Sequence, residues 1–145
     1  MSSDLPHGPE ANTLTLLALT HLMLSRQVSE GAARAGHPIK PSHSAVFGQM
    51  SDEGARLTDL ARGANMTPQA MGELVDELEE LGYLARTPDP TDRRAKLIML
   101  TELGRECMAA GIETIGHIER HITDALGVRR HRDLRRMLLT LLGDG

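Results

Sequence analysis

Residues 57–101 read LTDLARGANMTPQAMGELVDELEELGYLARTPDPTDRRAKLIMLT. A short helical pattern over 58–64, with Leu57 and Leu60 inward, stops at the turn Asn65-Met66. Thr67-Pro68 starts another helix: a Thr hydroxyl caps free N–H groups, and Pro lacks an N–H where none is needed. Met71, Leu74, Val75, Leu78 and Leu81 follow at i, i+3, i+4, i+7 and i+10, an apolar stripe of helical period. Gly82 sits where a helix ends in a left-handed cap, and Tyr83 is placed to pack back over the last turn. Residues 84–87 and 95–100 are strand-like. The segment Pro88-Asp89-Pro90-Thr91-Asp92-Arg93-Arg94 between them is polar and broken by Pro, which predicts a hairpin loop.

Two helices across a tight turn, followed by a hairpin with a basic loop, is the element order of a winged helix-turn-helix. That device lays one helix in a DNA major groove and a cationic loop in the flanking minor groove. Outside it, residues 1–12 are polar, with Pro6, Gly8 and Pro9, and read as a flexible arm. Residues 13–35 carry Leu14, Leu17, Leu22 and Val28 at helical positions, and Gly36, Pro38 and Pro41 separate that helix from one over 42–50. A turn at 51–54 precedes Ala55-Arg56, a token strand. Thr101 caps a last helical region with Met108, Ile112, Ile115, Ile118 and Ile122 in register. Gly127 interrupts it before Leu134, Met137, Leu138, Leu141 and Leu142. The expected fold is mainly α with a small β-hairpin wing. It divides into an arm (1–12), a first helix (13–40), a winged lobe (41–101) and C-terminal helices (102–145).

Composition excludes several functions. Phe47 and Tyr83 are the two aromatic residues, too few to stack bases of single-stranded nucleic acid. The formal charge of −4 argues against indiscriminate polyanion binding, so the placement of positive charge decides. Cys107 is alone, which precludes an internal disulfide and suits a reducing, cytoplasmic setting. The apolar run over 13–24 is shorter than the roughly 18–20 residues that cross a bilayer, and no export signal is visible. No nucleophile, base and orienting group recur together, so an enzyme is not expected, and no cofactor is implied.

The combination Gly82-Tyr83-Leu84, Asp89-Pro90-Thr91-Asp92-Arg93-Arg94 and Leu100-Thr101 resembles the MarR family of bacterial transcription regulators. The likeness is to that family's helix end, its wing loop that opens on an acidic residue and closes on Arg, and its Leu-Thr step into the next helix. It implies a homodimer in which the first helix and the last two intertwine into a dimerisation domain, leaving two winged lobes below. Such a dimer reads a pseudo-palindrome with half-sites about one helical turn apart. The apolar terminal helices agree, since they carry more apolar surface than a small lobe buries.

On that reading Thr67, Gln69 and Ala70 face the major groove: Gln hydrogen-bonds adenine, Thr a base or phosphate, and Ala a thymine methyl. Glu73 reads cytosine or excludes other sequences. Glu73, Asp76, Glu77, Glu79 and Glu80 come without a Lys or Arg among them, a departure from relatives with a basic residue there. Most of this run is expected to be a solvated face turned from DNA. Affinity then leans on Arg93 and Arg94 at the wing tip, with Asp92 as the ion-pair partner that orients the arginine. Arg86 on the wing strand is placed to reach a phosphate, and Lys40, Arg56 and Arg62 add support. The resemblance also implies a small hydrophobic or phenolic effector in the cleft between the dimer helices and the lobe.

Two alternatives stand beside this. A metal- or thiol-responsive regulator is suggested by His117 and His121, four apart in a helix, with His21 or His43 as further ligands, and by Cys107. Solvated or dimer-facing histidines and a buried thiol are the plainer readings. A winged-helix module that binds protein is suggested by the acidic helix. The run Arg129, Arg130, Arg132, Arg135 and Arg136 is expected to pair with a partner subunit or with Asp124 and Asp133.

Overall fold

Asn12 opens the first helix: its side chain accepts the Thr15 N–H at 2.9 Å, and α1 runs Thr13–Arg34. The computed structural model describes residues 10–143. The arm expected over 1–12 thus lies largely outside the described residues, and Asn12 belongs to the helix as its cap. Gly36, at φ +93°, turns the chain, and the His37 N–H closes on Ala32 O at 2.8 Å. A 3-10 turn, Pro41–His43, runs into α2, Ser44–Phe47, which is shorter than the helix expected over 42–50. Gly48 ends it, and the remaining residues to Met50 close by tight turns.

The helix-turn-helix is built as its residues imply. α3 spans Leu57–Gly63, and Asn65 takes the left-handed conformation at φ 53° that lets the Met66 N–H reach Ala61 O at 2.8 Å. α4 spans Pro68–Glu80, with the Thr67 hydroxyl accepting the Ala70 N–H at 3.1 Å. Gly82 adopts φ +87°, and the Tyr83 N–H bonds back to Leu78 O at 2.9 Å. Met71, Val75 and Leu78 are fully buried, whereas Leu81, at the end of the same stripe, stays 47% exposed.

The hairpin is longer than expected. β1 is Leu84–Asp89 and β2 is Asp92–Leu100, so Pro90 and Thr91 alone make the turn. Strands pair in register from Leu84↔Leu100 to Pro88↔Lys96, then slip so that Asp89 faces Asp92. Pro is tolerated here because β1 is an edge strand and Pro88 need not donate outward. β2 is flanked on its other side by Ala55, bridged to Ile98 by N–H···O bonds of 3.0 and 2.8 Å, the token strand expected there. Leu60, Met71, Val75, Leu78, Ile98 and Val46 form the lobe core.

Thr101 caps α5, Glu102–Leu126, by accepting the Gly104 N–H, and its hydroxyl donates to Gly82 O at 2.6 Å. Gly127, at φ +83°, breaks the helix, and α6 follows over Val128–Leu142. α5 lies close against α1 at Gly31, where a Cβ would stand 2.1 Å from Thr114 Oγ1. α6 buries none of its residues: Met137, Leu139, Leu141 and Leu142 are exposed, as are Leu14, Leu22 and Met23 on α1. Among the described residues no helix is long and apolar enough to cross a membrane.

Candidate nucleic-acid interface

The first turn of α4 projects outward. Thr67, Gln69 and Glu73 are exposed and Ala70 is half-buried, so all four stand at one end of the helix. The Thr67 hydroxyl is already used as the cap, which leaves Gln69 and Glu73 as the longer polar side chains there.

Three additional residues of β2, Arg93, Arg94 and Ala95, stand between the Lys96 and Asp92 pairings with no counterpart on β1. Such a bulge re-aims side chains at the end of a hairpin. Arg93 and Arg94 are exposed, and neither has an ion-pair partner among the described residues. The orienting role expected of Asp92 takes another form. Its carboxylate accepts the Arg94 backbone N–H at 3.0 Å and shapes the bulge, instead of pairing with a guanidinium.

The ion pair of the wing belongs to Asp89. Arg56, preceding α3, donates to Asp89 Oδ2 through Nε at 2.9 Å and Nη2 at 2.6 Å. The other carboxylate oxygen accepts the Thr91 N–H at 2.8 Å and its hydroxyl at 2.7 Å. Those two Thr91 bonds, with Arg56, hold the Asp89 carboxyl at about 2. Asp89 is 6% exposed, so one side chain fixes the two-residue turn and ties the wing to the lobe. Thirty-three residues separate the partners, which is why motif reading assigned Arg56 to DNA and the orienting carboxylate to Asp92.

The acidic run of α4 is a solvated face, with Glu73, Asp76, Glu79 and Glu80 exposed, and three of its carboxylates meet partners from elsewhere in the chain. Arg86, expected to be available to a phosphate, donates to Asp76 at 2.7 Å and to Glu79. A guanidinium between two carboxylates has little to offer a third anion. Glu77 accepts Lys40 Nζ at 3.1 Å and His43 Nε2 at 2.8 Å. Both bonds lower its pKa, that from His43 the more. Lys40 is therefore also engaged, although its side chain remains 65% exposed. His43 is buried and accepts the Lys40 N–H on Nδ1 at 3.1 Å, which puts the proton on Nε2 facing Glu77. Three of the five carboxylates are thus matched by cations or a histidine from outside the helix, and no pattern in the sequence announces these partners.

The weaker signals fall as follows. His117 lies beside Arg120 at 2.7 Å and 4.0 Å from Glu113, and no cluster of three or more metal-ligating side chains occurs among the described residues. Cys107 is 2% exposed, and burial pushes its thiol up to about 11. In the basic run, Arg136 pairs with Asp133 at 2.7 Å, while Arg135 approaches Glu119 at 3.8 Å, not Asp124. Between α1, α2 and α5 lies a cavity of about 480 Å³, walled mainly by apolar side chains such as Leu24, Val28, Phe47, Met108 and Ile115.

Known proteins share the sequence pattern and the fold. The model of the MarR family matches residues 37–95. The HTH-type transcriptional repressor Rv2887 of Mycobacterium tuberculosis is 30% identical over 91 residues, covering 63% of this chain and 66% of that one. Its structure in complex with salicylic acid superposes with a TM-score of 0.66 over 93% of this chain and 99% of that one, at 25% identity. CouR of Rhodococcus jostii, bound to p-coumaroyl-CoA, gives a TM-score of 0.71 at 26% identity over 87% and 88% of the two chains. The DNA complex of MepR from Staphylococcus aureus, at 18% identity, shares the fold with a TM-score of 0.78 over 94% and 100%. With the winged lobe, the flanking helices and these relatives in agreement, residues 37–95 match the MarR family of transcription regulators and the chain shares the fold of its members.

Proposed function

We propose that the chain acts as a homodimeric, sequence-specific DNA-binding repressor in the cytoplasm, reading a pseudo-palindromic operator and released from it by a small hydrophobic or phenolic effector. The observation that carries the DNA reading is the charge distribution of the lobe. The cations near α4 are bound to its carboxylates, and the unpaired arginines, Arg93 and Arg94, stand at the wing. A helix that starts with exposed Gln69 and Glu73 suits base edges, while the wing supplies the positive charge that an acidic helix lacks. The acidic α4 is the feature that favours protein docking, and the partners that Lys40, His43 and Arg86 give to Asp76, Glu77 and Glu79 weaken that argument.

Dimerisation is supported by the apolar faces left on α1 and α6, where Leu14, Leu141 and Leu142 are 77%, 72% and 78% exposed. A second copy covers both and sets the spacing of two lobes. An effector is supported by the cavity and by the relatives that hold salicylic acid and p-coumaroyl-CoA. Ser44 lines the cavity, and its neighbour His43 is bonded to Glu77 of α4. Movement of α2 against a ligand is thereby coupled to the reading helix, provided the ligand prefers one lobe position. Fluorescence anisotropy against the DNA upstream of the chain's own gene, with scrambled DNA and a salt series, tests the proposal. Selective binding that weakens with salt is expected; binding that does not discriminate between the two DNAs counts against an autoregulatory operator.

A further inference from the structure

The wall of the cavity contains no Lys, Arg or His. Its polar residues are Ser25, Ser44 and Glu119. The Glu119 carboxylate is engaged away from any ligand, 3.2 Å from His131 Nε2 and 3.8 Å from Arg135. The Ser44 hydroxyl, by contrast, is buried and has no hydrogen-bond partner among the described residues.

We propose that this cavity takes an uncharged, largely apolar ligand with one oxygen that hydrogen-bonds Ser44 Oγ, and that it discriminates against carboxylates. The inference rests on the effector reading above and names the chemistry of that site. A carboxylate entering here surrenders its water with no counter-charge in the wall. A neutral oxygen meets the opposite situation: it completes the bonding of a buried hydroxyl that is otherwise unsatisfied. The volume, about 480 Å³, lies in the range that encloses a small organic molecule.

Calorimetric titration of the full chain with methyl 4-hydroxybenzoate, 4-hydroxybenzoate and tyramine tests this at neutral pH, since the three phenols differ chiefly in charge. The ester is expected to bind at least about tenfold tighter than the acid, because a buried unpaired charge costs far more than one hydrogen bond contributes. Ser44→Ala is expected to weaken the ester by about three- to tenfold, the range of one hydrogen bond. Acid or amine binding as tightly as the ester overturns the inference and leaves the effector reading standing. Ester affinity untouched by Ser44→Ala overturns the role of Ser44. If none of the three binds, the effector reading of this cavity falls, and the inference falls with it.

Discussion

Replacing Arg93 and Arg94 together by Ala tests the wing most directly, because both side chains are exposed and neither is tied to a carboxylate among the described residues. A dimer presents two wings and therefore four such arginines. Each cation that neutralises a phosphate contributes about 0.9 to the slope of log affinity against log salt, so the four account for about 3.6. Raising salt from about 50 to about 200 mM then costs the wild type about 150-fold more affinity than it costs the variant. The assay is operator anisotropy at four or five salt concentrations, with the fold checked by circular dichroism. Arg86→Ala is the internal control. Arg86 is held by Asp76 and Glu79, so its loss should alter the slope by less than about 1. A double variant whose slope matches the wild type within about 1 refutes wing contact. An Arg86→Ala slope change as large as that of the wing pair refutes the assignment of Arg86 to α4.

Other outcomes follow from single contacts. The Asp89 carboxyl sits at about 2 in the fold against 3.8 unperturbed. Its stabilising contribution is therefore complete above about pH 4 and lost as pH falls towards 2. Unfolding monitored across that window should be flatter for Asp89→Asn than for the wild type, and equal slopes count against the Arg56–Asp89 tie. Cys107, pushed up to about 11 by burial, should resist iodoacetamide at pH 8 in the native chain and react within minutes in urea; rapid native alkylation contradicts its burial. A Cβ at Gly104 would stand 2.1 Å from the Tyr83 carbonyl oxygen, so Gly104→Ala should lose about 1–3 kcal/mol in urea unfolding at fixed protein concentration. Unchanged stability there means that α5 and the end of α4 separate more readily than the contact implies. Introducing charge on α6 by Leu141→Asp with Leu142→Asp should shift sedimentation from dimer to monomer and abolish operator binding; a dimer that persists excludes α6 from the interface.

Local rules made most of the fold legible. Thr67-Pro68, Gly82 and Thr101 mark helix ends through capping that involves neighbours within a few residues, and each behaves as read. The stripe Met71, Val75, Leu78 is set by the helical period and needs no knowledge of what it packs on. The readings that changed depend on partners far away in the chain. Pro88 and Pro90 suggested a loop, yet a β1 with a free outer edge accepts Pro88, and Asp89 holds the turn through Arg56. Arg86 looked like a phosphate ligand until α4 brought Asp76 and Glu79 beside it, ten and seven residues earlier. The same folding event answers the question that the acidic helix posed. Asp76, Glu77 and Glu79 meet Arg86, Lys40 and His43, while Glu73 and Glu80 stay exposed, so the free positive charge of the lobe falls to the wing. Glu77 links the two halves of that arrangement. It ties α4 to the segment that walls the cavity, so on the proposed function any ligand that displaces His43 acts on the surface offered to DNA.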